Sequence, residues 1–574
     1  MRRTRMTALT GAAALVAAVA GTATATAVSS APTAATTGNG SYVVLAKTGA
    51  SVTDIADQLR KAGGKVTSVN ARIGLVTVTG SSSLVARARA LEGVQGAAHD
   101  RSIGAAPQRA KPDPVMKEHV FDKTRANGTY TSTPAPPAGH DPLDGHLWGL
   151  EMIDAFEAHK VETGDKVRVG ILDTGLDGSH LDLAENFDST LSRNFTTDMP
   201  DIDGPCDTAD CTDPADVDQN GHGTHVAGTI GAALDGFGLS GIAPDVDLVN
   251  IRGGQDSGYF FLGPVTNALT YAGDVGLDVV NMSFYVDPWL YNCAGGAPED
   301  SPEEAAEQDL IIAAMTRALD YASSRNVTLV GALGNNHEDL SNPRTDLTSP
   351  DYPGGTEHPR TIDNETCWDL PVEGPHVIGV SAVGPSGMKS DYSNYATDLG
   401  SGELEVAAPG GWFRDGIGTD TYRTNGNLIL STVSLQSLEE TGEVDKNGNI
   451  TKPGRDAGVI KQCTDRRQPD QKSTCSYYAW FQGTSMASPH AAGVAALAVG
   501  AHGTGATTGT FSLAPATTRA LLMDTATDTA CPAGGVRSYE PEGRSAEFTA
   551  ACVGTPEFNS FYGDGIVNAM GVVQ

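Results

Sequence analysis

Four residue types, set far apart in this 574-residue chain, together hold the chemistry of acyl transfer. Asp173 closes the apolar run Val169-Gly-Ile-Leu-Asp-Thr-Gly175, so a carboxylate stands at the carboxyl end of a buried strand. His222 lies in Asn220-Gly-His-Gly-Thr-His-Val-Ala-Gly228, flanked by two glycines that let backbone or substrate come close. Asn335 ends Leu329-Val-Gly-Ala-Leu-Gly-Asn335, where a strand delivers an amide at its exit. Ser485 sits in Phe481-Gln-Gly-Thr-Ser-Met-Ala-Ser-Pro-His490, a turn running into a helix of small residues. Nucleophilic acyl transfer needs a hydroxyl, a base to deprotonate it, an acid to fix the tautomer of that base, and a donor for the oxyanion. A helix start offers unpaired N–H groups and the positive end of the dipole to that oxyanion.

Each of these residues also has a structural reading. A serine favours helix caps, an aspartate at a strand end can cap a helix, a histidine between glycines can fill a turn, and an asparagine after glycine is a turn residue. The four together, at one kind of address and in the order Asp, His, Ser, point to chemistry.

The elements that must position them follow from periodicity. Buried strands are expected at 167–172, 247–251, 278–282, 327–332, 377–382 and 404–407, with helices at 222–233, 262–275 and 302–325. Strands alternating with helices imply an α/β fold, a mainly parallel sheet covered on both faces, with ligands bound beyond the carboxyl ends of the strands. Ala487, Ala491, Ala492, Gly493, Ala495 and Ala496 give the helix after Ser485 almost no girth, so it can lie close against that sheet. Before this body, residues 41–104 read as a small α+β module with strands at 42–46 and 74–78 and helices at 52–62 and 82–91. Residues 105–144 read as a linker and 145–574 as the catalytic domain, with surface insertions at 287–309 and 412–479.

Arg2, Arg3 and Arg5 precede an apolar run near 8–20 and then Ala25-Thr26-Ala27, so residues 1–27 read as a secretory signal peptide. Residues 28–40 are Ala/Thr/Ser-rich and are expected to be disordered. The run at 8–20 is too short to span a bilayer, so no membrane association is expected after signal removal, and the protein is expected to be secreted. Residues 1–144 carry 16 Lys/Arg against 9 Asp/Glu, and the remainder 22 against 61. The two parts should therefore attract, and so acidic a body argues against a nucleic-acid partner. Eight cysteines in an exported chain suggest disulfides, local pairing giving 206–211, 463–475 and 531–552 and leaving 293 with 367. No Cys-x-x-Cys or nearby histidine completes a zinc set.

The motifs Asp173-Thr-Gly175, His222-Gly-Thr-His-Val-Ala-Gly228 and Gly483-Thr-Ser-Met-Ala-Ser-Pro-His490 make the chain resemble a subtilisin-like serine protease, from about Trp148 onward. Residues 41–104 are similar to that family's inhibitory propeptide. The resemblance implies Ser485 as nucleophile, His222 as general base and then acid, Asp173 as its orienting partner, and Asn335 with the Ser485 N–H as oxyanion donors. His225 would be structural. It also implies that Asn281-Met-Ser283 and Gly334 line the substrate site, with Ser257-Gly258 as the opposite edge, so that substrate adds as an extra strand. Phe284-Tyr285 departs from the small residue and glycine usual there, which puts the family's large-apolar preference in doubt.

The implied activity is a secreted endopeptidase made as a zymogen, a monomer acting on polypeptides and held by its own propeptide. A narrow processing protease and a non-catalytic scaffold on a protease fold are the other readings. The chemistry needs no cofactor. Structural calcium is implied at Asp182 and Asp235, whereas Asp216-Val-Asp-Gln-Asn-Gly221 reads as a solvated acidic loop because its twelfth position is Ala227.

Overall fold

The computed structural model describes residues 40–106, 135–136, 138–284, 288–343, 345–464 and 474–574. The expected signal segment, nearly all of 28–40, most of the 105–144 linker and Tyr285 lie outside the described residues. No described helix is long and apolar enough to cross a membrane.

The first unit is a four-stranded antiparallel sheet in the order β2-β3-β1-β4, built from β1 (Gly40–Ala46), β2 (Lys65–Asn70), β3 (Leu75–Gly80) and β4 (Val94–His99). Helices Val52–Lys61 and Ser83–Arg89 cover one face, where Ile55, Leu59, Leu84 and Val85 meet Val44, Val76 and Val78. The alternate residues Val43, Leu45 and Leu75 point the other way, into a core shared with Val265, Leu310, Ile311 and Ala314 of the body. One sheet thus buries both faces, which the period-2 pattern of its strands dictates. The attraction expected from the charge asymmetry takes the form, among the described residues, of the ion pairs Arg72–Asp274 at 3.2 Å, Arg89–Glu303 at 3.2 Å and Arg101–Glu307 at 3.0 Å. A fifth strand, β5 (Ser102–Ala105), leaves this unit and continues onto the body.

The body is organised on seven parallel strands: β6 (Arg168–Leu172), β7 (Arg193–Asn194), β8 (Asp247–Arg252), β10 (Val279–Met282), β12 (Thr328–Ala332), β14 (Val377–Val383) and β15 (Val406–Pro409). Their order is β15-β14-β12-β10-β6-β8-β7. Val169, Ile171, Val279, Val330 and Ile378 face helices His222–Gly231 and Thr484–His502, whereas Leu172, Val280, Met282, Leu329 and Val377 face helices Leu262–Val275 and Pro302–Ser324. This is the doubly covered α/β sheet expected from the strand–helix alternation. Helix Pro302–Ser324 begins with a full capping box, Ser301 accepting from the Glu304 amide and Glu304 accepting from the Ser301 amide.

The two segments expected to be surface insertions are partly interior. In 287–309, Trp289, Tyr291 and Cys293 are buried, and β11 (Asn292–Cys293) pairs with β13 (Cys367–Trp368) across the Cys293–Cys367 disulfide. In 412–479, Trp412 and Phe413 are buried, and β16 (Ile429–Val433) and β17 (Ile460–Cys463) flank β18 (Cys475–Phe481) in an antiparallel sheet. Asp, Gly and Asn turns punctuate both segments and mask the short apolar strands between them. The end of the expected linker is also interior: Asp141 and Asp144 are buried, and Leu143 N donates to Gly238 O at 2.8 Å. All eight cysteines pair as local pairing predicts: 206–211, 293–367, 463–475 and 531–552.

Candidate active site

Asp173 follows the last residue of β6, and His222 opens the helix that packs beside it. The Asp173 Oδ1 to His222 Nδ1 distance is 2.7 Å, with Asp173 fully buried and His222 nearly so. Only glycine fits at 223, because a Cβ there would sit 2.1 Å from Gly175 O. The approach that lets imidazole meet carboxylate is therefore written into a missing side chain.

What holds the start of the His222 helix is Asp218. Its Oδ1 accepts from Thr174 Oγ1 (3.0 Å) and Gly221 N (2.9 Å), and its Oδ2 from Thr224 N (2.9 Å) and Thr224 Oγ1 (2.6 Å). Asp218 is 1% exposed, so the loop read as solvated carries a buried capping carboxylate at its centre, while Asp216 alone faces solvent. The four donors explain the burial, since a carboxylate without them would carry a penalty of several kcal/mol. His225 is structural in its contacts, its Nε2 lying 3.2 Å from both Ile429 O and Ala479 O and its ring stacked on Phe481.

Ser485 occupies the first turn of a buried helix whose preceding residue is Gly483. Its carbonyl accepts from Ser283 Oγ at 2.9 Å, and Asn281 Nδ2 donates to that same Oγ at 2.7 Å. Asn281 Oδ1 in turn accepts from Ser488 Oγ at 2.6 Å. The exit of β10 is thus bonded to two positions of the Ser485 helix, which fixes where the hydroxyl stands. Across the site, Asn335 Oδ1 accepts from Thr484 N (2.8 Å) and Thr484 Oγ1 (3.0 Å), which turns its Nδ2 away from these bonds. Asn335 Nδ2 and Ser485 N lie 3.7 and 3.6 Å from the one point where a Cβ of Gly483 would be. Gly334, just before Asn335, donates its N–H to Thr484 Oγ1 at 3.1 Å.

Four buried polar atoms of the candidate residues have no hydrogen-bond partner among the described residues: Asp173 Oδ2, His222 Nε2, Ser485 Oγ and Asn335 Nδ2. Buried polar groups are normally paired, so such an orphaned set marks where a ligand's polar atoms belong. A base, a hydroxyl and an amide donor left free together can attack a carbonyl and hold its oxyanion. Gly258 O accepts from Ala106 N at 2.7 Å, and β5 pairs antiparallel with β9 (Tyr259–Phe261). The Ser257-Gly258 edge therefore carries an extended segment of this same chain. Sequence reasoning missed Asp218 and the role of Asn281; an Asp placed three residues before the glycine that opens a helix was the signal for the former.

Two acidic groups bring carboxylate oxygens together elsewhere, Asp198/Asp213/Asp256 and Asp300/Glu304/His358. Arg252 pairs with Asp213 at 3.2 Å and with Asp256, and Arg360 with Asp300 at 2.9 Å, so each group already holds a buried cation. Asp141 and Asp182 differ in lacking such a cation among the described residues. Asp182 Oδ1 and Asp141 Oδ2 are buried without partners among the described residues; burial and the charges of Asp141 and Asp235 hold Asp182 well above the usual carboxylate range, and burial and the charges of Asp144 and Asp235 hold Asp141 at about 7.

The parallel α/β sheet carries a hydrogen-bonded acid–imidazole pair at the exit of β6 and a buried serine hydroxyl at the start of the helix bonded to the exit of β10. Residues 164–565 match the subtilase family, and the chain belongs to it. It is 29% identical to an intracellular serine protease of Paenibacillus polymyxa over 321 residues, which is 55% of this chain and 79% of that one. It is 25% identical to thermitase of Thermoactinomyces vulgaris over 342 residues, 59% of this chain and 95% of thermitase. Among solved structures, the epidermin leader peptide processing serine protease of Staphylococcus aureus superposes with a TM-score of 0.59 at 17% identity, covering 93% of this chain and 99% of that one. The protein is a serine endopeptidase.

Proposed function

We propose that this endopeptidase is secreted as a zymogen and cuts polypeptides through an acyl-enzyme on Ser485. The carrying observation is the 2.7 Å Asp173–His222 bond beside three buried, unpartnered atoms: imidazole nitrogen, hydroxyl and amide. In this reading Asp173 fixes the His222 tautomer with Nε2 as base, and Nε2 takes the Ser485 proton as Oγ attacks the scissile carbonyl. The oxyanion sits between Asn335 Nδ2 and Ser485 N. His222 then protonates the leaving amine, and water repeats the cycle on the ester. Ser283, Gly334 and Ser257-Gly258 border the substrate.

Residues 41–106 act as intramolecular inhibitor in this reading, because Ser102–Ala106 occupies the Gly258 edge as an added strand while basic side chains anchor the module to the body. The signal-like N-terminus and four disulfides support export. Expression of Ser485→Ala in a protease-deficient host tests both parts. The expected product is one precursor retaining residues 41–106 and refusing a fluorophosphonate probe that labels the wild type. A mature-sized Ser485→Ala protein, or a wild type that takes no label, refutes the proposal.

No metal enters this chemistry. Asp141, Asp182 and Asp235 suit a hard divalent cation, since their excess charge has orphaned oxygens and no buried arginine of its own. Calcium bound there would tie residues 138–147 to the 235–240 loop. An unchanged melting temperature in strong chelator would remove this assignment.

A further inference from the structure

We infer that Asp369 is the acid that determines specificity: it floors the pocket for the substrate side chain on the acyl side of the cut bond, and that pocket takes arginine or lysine. The inference rests on the peptidase reading of Ser485 and Asn335.

Strands β10 and β12 are neighbours in the sheet, and their exits, Ser283 and Gly334, are each bonded to the start of the Ser485 helix. A side chain carried by the acyl carbonyl must pass between these exits, because Asn335 holds the oxyanion directly after Gly334. Gly334 has a φ of 104°, which glycine alone adopts freely, and the buried Asn394 amide stands closest to where its Cβ would be, with Nδ2 2.4 Å from that point. Asp369 Oδ2 is 3.6 Å from the same point. Asp369 is 3% exposed, and among the described residues no hydrogen-bond donor and no cation meets its carboxylate; burial alone holds it well above the usual carboxylate range.

Its surroundings make the vacancy of charge more pointed. Glu373, whose carboxylate accepts from the Asp369 N–H and feels the Asp369 charge, is acidic as well. Arg360, a buried cation of the same region, is taken by Asp300 at 2.9 Å and Asp346 at 3.0 Å. The position is also rigid. Cys367, two residues earlier, is tied to Cys293, β13 pairs with β11, and Asp369 O accepts from Glu373 N at 2.8 Å. An unpaired interior carboxylate destabilises a fold, and an apolar residue of like size would be neutral or better there. Held without a partner beside the oxyanion donor, it is suited to a visiting cation. A guanidinium reaches it along a three-carbon stem and pairs bidentately, an ammonium pairs as a point charge, and an apolar side chain would leave it unpaired. The chain supplies matching sites: the segment after docked Ala106 contains Arg109, Lys111, Lys117, Lys123 and Arg125.

The test uses the mature wild-type enzyme, with fluorophosphonate labelling to show that its nucleophile is active. Peptides identical except for Arg, Lys, citrulline, Phe or Leu before the cut are compared. Arg and Lys are expected to exceed citrulline, Phe and Leu by at least about 100-fold in kcat/KM, because only they satisfy the buried charge. In Asp369→Asn the Arg-to-citrulline ratio should collapse toward one. Labelled enzyme that prefers Phe or Leu, or cuts Arg and citrulline alike, overturns the inference and leaves the peptidase reading intact. The citrulline comparison needs only the wild type, so it decides the matter even if Asp369→Asn does not fold. Wild type that neither labels nor cuts any peptide refutes the peptidase reading, and the inference falls with it.

Discussion

Replacing Asp218 by asparagine isolates what positions the His222 imidazole. Each carboxylate oxygen of Asp218 accepts one backbone N–H and one hydroxyl: Gly221 N and Thr174 Oγ1 on one side, Thr224 N and Thr224 Oγ1 on the other. Asparagine keeps the shape but turns one oxygen into a donor. Whichever way the amide faces, its NH₂ meets one hydroxyl and one backbone N–H. The hydroxyl can rotate and accept, but the N–H cannot. One buried backbone donor is therefore orphaned, at about 1–3 kcal/mol, and the first turn of the His222 helix loses part of its cap. A stability loss of about 2 kcal/mol is expected, read as the urea midpoint of enzyme inactivated by an organophosphate to prevent autolysis. Because His222 lies between Gly221 and Thr224, its ring should shift as the turn relaxes. Misplacement on the ångström scale lowers kcat by about 10²-fold, and fluorophosphonate labelling should slow by a similar factor. A variant within about 0.5 kcal/mol of wild type that also labels at the wild-type rate refutes the reasoning. One that is destabilised yet labels normally would reduce Asp218 to a cap.

Asn335→Ala should lower kcat by about 10²–10³-fold with little change in KM, because the amide is engaged only once the oxyanion forms; an equal loss through KM would show a binding role instead. Arg101→Ala leaves Glu307, which is buried and held at about 7 by burial against the opposing Arg101 charge, without its partner. The isolated 41–106 module should then inhibit the mature enzyme with a Kd weaker by roughly 30-fold, about 2 kcal/mol, and raised salt should narrow the difference. Lys389 is buried among Tyr395, Tyr539 and Phe561, and burial lowers its ammonium from 10.5 to about 7. Between pH 7 and 10.5 the unfolded chain binds the extra proton, so this group makes stability rise with pH across that window. Lys389→Met should abolish that part of the rise in urea midpoint between pH 7 and 9.5; identical slopes in the two proteins would refute the assignment.

The residues legible in the sequence are those whose partners are either near in the chain or announced by a local pattern. Asp173 and His222 sit at a strand exit and a helix start, and the apolar runs and glycines around them declare both. The Ser485 helix declares itself by its alanines, which its central, fully buried course requires. What stayed hidden depends on chain segments meeting across long separations. Asn281 reads as one more residue of a buried strand until Ser283 and Ser488 are seen to converge on it, the latter 207 positions away. Asp141 reads as linker until its carboxylate meets the 235–240 loop, and Trp289 as insertion until its ring lies beneath Arg360, 4.7 Å from the guanidinium carbon.

Asp369 is the extreme case. Nothing in Cys367-Trp-Asp-Leu-Pro371 signals a substrate pocket, because the partner that would explain this carboxylate is not in the chain's fold at all. A sequence pattern records what the fold must satisfy for itself, through period, cap and turn. A group kept for a ligand breaks that internal accounting, and it becomes visible only when the surrounding structure shows that no partner has been provided. The same logic joins the site's orphaned atoms to Asp369. In the proposed reading His222 Nε2, Ser485 Oγ and Asn335 Nδ2 await the scissile peptide, and Asp369 awaits the side chain beside it. If citrulline serves as well as arginine, that link is severed, and the carboxylate must then be explained by the fold alone.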